Sequence, residues 1–177
     1  MIVSFSARAG GNCDRISEKI AEFHGGGKIF RFSEQQIHPC GGCRYECFRQ
    51  DGICPYRSDP EYGLLESVCG SDLVYFVIPN YCDYPCAHYF IFQERSQCYF
   101  QGKPERMNEY LKIPKKFVVI SNTNEDNFSG ILSENAVNAP DILFLSAIKY
   151  GKVSISGDLT DSADAMNDLY NFLKGEK

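Results

Sequence analysis

Residues 73–78 read Leu-Val-Tyr-Phe-Val-Ile, an almost unbroken apolar run. A strand with one wet face alternates polar and apolar residues, whereas a continuous run suits a strand covered on both faces, as in a parallel sheet. Strand-like runs recur over 1–5, 28–32, 117–121 and 142–145. Between and after them lie segments of helical spacing at 14–24, 60–69, 86–100, 128–138 and 161–173. Gly25, Gly26 and Gly27 close the first of these in the manner of glycine C-caps. Five strands alternating with five helices predict a doubly wound α/β domain with helices on both sheet faces. No repeat or low-complexity linker divides the 177 residues, so 1–177 is read as one domain carrying a cysteine-rich loop over 38–56.

Ligands of such sheets sit outside the carboxyl ends of the strands. The loops that matter are therefore those after the first, third and fourth strands: 6–13, 79–86 and 121–127. The first reads Ser6-Ala7-Arg8-Ala9-Gly10-Gly11-Asn12-Cys13 and runs into a helix N-terminus, where free N–H groups and the helix dipole favour an anion. Hydroxyl, guanidinium and amide side chains add donors, and two glycines allow close approach. The Rossmann and P-loop fingerprints are both missing, and an ordinary polar turn is the alternative reading.

That loop resembles the Ser-Pro-Arg-x-x-Gly-Asn-Thr segment of the NAD(P)H-dependent FMN reductase family, differing at Ala7 and at Cys13. The resemblance implies a flavodoxin-like three-layer sandwich, a five-stranded parallel sheet in the order 2-1-3-4-5. It also implies that Ser6, Arg8, Gly11, Asn12 and Cys13 surround an FMN phosphate. Pro79, Asn80 and Tyr81, with Cys82 and Asp83, are similar to the segment that runs along the isoalloxazine in that family. Tyr81 offers a flat face with a polar tip. Ser121, Asn122, Thr123 and Asn124 follow the fourth strand, where small polar groups suit the flavin's polar edge.

Nine cysteines are an odd number, so a complete disulfide framework does not account for them, and a reducing compartment is the expectation. Cys40, Cys43, Cys47 and Cys54 stand at the spacing Cys-x2-Cys-x3-Cys-x6-Cys, and glycines between the first two permit tight turns. The segment resembles the compact cysteine motif of iron–sulfur flavoproteins, which has two residues where Arg44, Tyr45 and Glu46 stand here. It implies a four-iron cluster on these four thiols; zinc ranks behind it, and a metal-free loop is the alternative. Cys69 and Cys98 fall on expected helices and read as core residues, while Cys82 and Cys86 flank the expected ring pocket, read as reduced wall residues with a redox pair or a substrate contact as the alternative.

A net charge of −5 argues against nucleic-acid binding, and no apolar run approaches membrane-spanning length. No secretory leader is read at the start, so a cytoplasmic location is expected. The family resemblance implies an FMN-dependent oxidoreductase moving electrons between NAD(P)H or a protein donor and an acceptor, as a homo-oligomer. Two alternatives stay open: an electron carrier without nicotinamide turnover, and a metal-binding module that has lost FMN.

Overall fold

In a computed structural model of the chain, which describes residues 1–41, 43–49, 53–122, 128–134 and 137–175, the apolar run becomes the central strand of one sheet. This strand, β3 (Val74–Tyr81), is buried through its first six residues. It pairs in parallel with β1 (Ile2–Ser4) on one side and with β5 (Lys115–Ser121) on the other. β2 (Ile29–Arg31) pairs in parallel with β1, and β6 (Asp141–Ser146) with β5, so the sheet runs β2-β1-β3-β5-β6. Setting aside β4 (Tyr84–Pro85), a short antiparallel arm on β3, that is the expected order.

The period of two along β3 divides its side chains between two cores. Val74, Phe76 and Ile78 join residues of α2 (Pro60–Cys69), α3 (Ala87–Phe100) and α4 (Pro104–Lys112), among them Leu64, Phe92 and Tyr110. Leu132 of α5 (Phe128–Ser133) belongs to the same core. Tyr75 and Val77 face the other way, against Ile16 and Ile20 of α1 (Asn12–Phe23) and Leu169 and Leu173 of α6 (Ala163–Lys174). The result is a three-layer doubly wound sandwich. No described helix is long and apolar enough to cross a membrane.

Three sequence expectations are corrected. β4 and α4 were not foreseen, because the first is two residues long and the second sends only Tyr110 fully into the core. The segment 79–86 is not a loop throughout: β3 continues to Tyr81 and folds back through Cys82 and Asp83 into β4. The helix expected over 128–138 ends at Ser133, whose hydroxyl donates to the Gly130 carbonyl at 2.6 Å, a local bond that competes with helix propagation.

Candidate functional site

At the carboxyl edge of the sheet, the β1–α1 loop is shaped by Asp14, a buried residue in the first turn of α1. Its carboxylate accepts the Ser4 hydroxyl at 2.6 Å and the Gly10 N–H at 2.8 Å, and its charge suits the positive end of the helix. Gly10 takes φ +67°, a left-handed conformation that glycine adopts without cost. The Ser6 hydroxyl donates to the Arg8 carbonyl and accepts the Arg8 N–H, which fixes the turn. Gly11 is the N-cap residue and has no side chain to cap the first turn, whose N–H groups open towards the edge. The Arg8 guanidinium lies across Gly11: a Cβ there would stand 3.0 Å from Nε and from Nη2.

Long-range bonds hold the site together. Arg8 Nη1 donates to the Ile155 carbonyl at 2.7 Å, and Asn12 Nδ2 to the Ser154 carbonyl at 2.7 Å. Asn12 Oδ1 accepts the Leu159 N–H at 3.0 Å, and Asn122 Oδ1 accepts the Ser154 N–H at 2.8 Å. The Asn80 amide donates to the Ser121 hydroxyl at 2.9 Å, while its carbonyl oxygen Oδ1 is buried without a partner among the described residues.

Ser6, Arg8, Asn12, Cys13, Pro79, Asn80 and Tyr81 line one cavity of about 100 Å³ together with Ile120, Ser154 and Ile155. Gly11, Cys82, Asp83, Ser121 and Asn122 are not in its lining; Ser121 and Asn122 reach it through Asn80 and Ser154. Thr123 and Asn124 lie outside the described residues. Burial, then the neighbouring Cys86, pushes the Cys13 thiol well up, so Cys13 packs as an apolar group and offers the site its backbone. Cys86 is likewise buried, its thiol donating to the Phe5 carbonyl at 3.2 Å. Ligand pockets for drug-sized molecules span about 300–1,000 Å³, so this cavity admits a small anion but not a whole ring system. Tyr81 and Ile155, both exposed, belong to its lining, and the exposed Tyr84 is the cross-strand partner of Tyr81.

The segment 154–159 was not anticipated as part of the site. Its signal was positional: it follows β6, whose carboxyl end also faces the ligand edge. Two larger cavities, about 410 and 350 Å³, open at the amino ends of the strands. Their linings include the C-caps of α4, α1 and α2, Ile113, His24 and Gly70, and ligands of this sheet type bind at the opposite edge.

The cysteine loop forms a second cluster, on the α2–α3 face. Cys47, Cys54 and Cys98 are buried together, with Cys40, Tyr56 and Tyr62 packed against them. Cys98 was read as a separate core residue; instead its sulfur lies 3.5 Å from that of Cys47. Cys43 points elsewhere, hydrogen-bonding Glu46, which also accepts the Arg44 N–H at 3.1 Å. Among the described residues, no three Cys, His, Asp or Glu side chains are grouped so as to hold a metal ion. The loop is anchored by Arg95 of α3, only 1% exposed, which donates to the carbonyls of His38 and Tyr56 and to Asp59 Oδ2 at 2.7 Å. Burial works against charge on Asp59, but the bonds from Arg95 and His38 outweigh it and hold the carboxyl below its usual range. Beside this pair, burial pushes the Glu61 carboxyl up to about 9.

No family model matches the chain, and no curated protein matches it. Among solved structures it is similar to the Trp repressor binding protein from Bacillus subtilis, at 14% identity over 98% of this chain and 97% of that one, with a TM-score of 0.63. The likeness is one of fold, and the fold is flavodoxin-like.

Proposed function

We propose that the carboxyl edge of the sheet grips the phosphate of FMN, and that the chain is a flavin-dependent oxidoreductase drawing electrons from a nicotinamide nucleotide or a protein donor. The observation that carries this reading is the uncapped N-terminus of α1, with Arg8 laid across Gly11, beside a cavity sized for a small anion. Such a terminus favours phosphate through its N–H groups and dipole together. The orphaned Asn80 Oδ1 supports a polar ligand there, since a buried acceptor without a donor is costly. The cost of a ring outside the cavity is met by the exposed faces of Tyr81 and Tyr84.

Bound FMN supplies the hydride and electron chemistry. The chain's own part is to bind and orient. Arg8 spends one N–H on Ile155 and keeps four for an anion, of the five that a guanidinium carries. Asn12 spends one amide N–H on Ser154 and its Oδ1 on Leu159, so it offers the anion its backbone N–H and its second amide N–H, and lends rigidity. Asp14 neutralises part of the helix terminus and takes the Gly10 N–H, which lowers the affinity this loop can reach.

Titration of the protein into FMN, followed by loss of flavin fluorescence, tests the reading. Binding is expected, with Arg8→Ala weaker by about 1.5–3 kcal/mol, the range for a charged hydrogen bond. An FMN affinity unchanged in that variant would remove the phosphate assignment. Bleaching of bound flavin by NADH or NADPH then separates a reductase from a carrier.

A further inference from the structure

We propose that Cys47 and Cys98 form an oxidative modification site, a buried dithiol that hydrogen peroxide converts to a disulfide tying the cysteine loop to α3. Two sulfurs 3.5 Å apart need each move only about 0.7 Å to reach the roughly 2.05 Å of a disulfide. The short sulfur–sulfur contact singles out this pair, and two of the neighbouring thiols are otherwise engaged. Cys43 bonds Glu46, and Cys54 bonds the Tyr62 phenol. Either sulfur can donate its proton to the other, so the contact joins the two thiols as one dithiol.

An opening reaches the edge of the thiol cluster. Cys40 packs on the thiol cluster and also lines an opening of about 240 Å³ with Gly41, Tyr45, Glu94 and Gln97. Glu94 lies one helical turn before Cys98 on the same face of α3. Acidic Glu94 at the mouth and apolar burial beneath it favour a small neutral oxidant over an anionic or bulky one. The sulfur of one thiol attacks one peroxide oxygen, the O–O bond breaks, and a sulfenic acid and water result. The sulfur of the other then displaces that oxygen as a second water, so two thiols lose two protons and two electrons to one peroxide. A small dithiol reverses the step by exchange. Neither cysteine lines the nucleotide cavity, so the modification is read independently of flavin binding.

Tryptic peptides resolve the pair: Cys47 is alone in residues 45–49, Cys98 alone in 96–106, Cys54 in 50–57, and Cys40 and Cys43 share 32–44. Folded full-length protein is titrated with peroxide, alkylated, digested without reductant and mapped by mass spectrometry, with iron and zinc assayed on the same sample. One internal link, 45–49 to 96–106, should form and separate again under dithiothreitol. It should persist in Cys43→Ser, while Cys98→Ser should leave a dimedone-reactive Cys47. The proposal is overturned if Cys47 links instead to 32–44 or 50–57. It is equally overturned if both thiols remain reduced when the exposed Cys82 is fully oxidised, or if a bound metal accounts for their protection.

Discussion

Glu61 is wholly buried, and neither carboxylate oxygen has a partner among the described residues. A carboxyl in such surroundings is stable only as the neutral acid, which is why it titrates near pH 9 in the folded chain. Unfolded, the group ionises at its ordinary value of about 4.5. Below that value both states hold the proton and stability does not depend on this group's titration; above it the unfolded state holds fewer protons than the native state, so stability falls as pH rises towards 9. Glu61→Gln removes this dependence. Its advantage over the parent should widen between pH 5.5 and 8.5 with a slope of up to about 1.4 kcal/mol per unit, read from urea midpoints. A constant difference would show that the folded carboxyl is ionised. At this scale the sequence was only partly readable. The β1–α1 motif places Arg8 and Asn12 at the ligand edge, but their carbonyl partners stand 147 and 142 residues away, beyond any local pattern. Cys98 joins the thiol cluster across 51 residues, and a lone cysteine on a helix gives no sign of that.

The β3–β4 hairpin turns through two residues, Cys82 at φ 52° and Asp83 at φ 65°, both left-handed and neither a glycine. Two successive left-handed residues define the type I′ turn, whose twist matches that of the strands and which favours Asn at its first position. A cysteine there carries backbone strain that asparagine relieves, since left-handed backbone costs an ordinary L-residue about 1–2 kcal/mol. Cys82→Asn should therefore raise stability by about 0.5–1 kcal/mol, a gain from the local hydrogen bonding by which the Asn side chain tolerates left-handed backbone, measured as a higher urea midpoint with unchanged slope. A lower midpoint would mean that the thiol makes a contact worth more than the strain. Elements of this kind escape sequence reading because Tyr-Cys-Asp-Tyr lacks the Asn-Gly signal of a tight hairpin. The buried middles of the long strands, by contrast, were legible, though β3 runs on to Tyr81 and β5 begins at Lys115. Continuous apolar runs leave β3 and β5 no polar face to turn outwards.

The order of the whole sheet follows from those strands: with β3 buried on both faces, helices must cover both sides and the loops that bind ligands collect at one edge. Three distant stretches meet there, 6–13, 79–81 and 154–155, so a phosphate held between them binds only the folded chain. Anything that binds only the folded state stabilises it by mass action, at 100 times its dissociation constant by about 2.7 kcal/mol. For a chain of this size that is roughly 5–10 °C in melting temperature. FMN should produce such a rise, and riboflavin, which has the same ring without the phosphate, should produce much less. Inorganic phosphate in excess should diminish the FMN effect by occupying the α1 terminus. Equal shifts with FMN and riboflavin would locate the binding energy in the ring and dismiss the role given to Arg8 and the first turn of α1. No shift with either flavin would leave the cavity to some other small anion, which the same melting series run with phosphate alone would reveal.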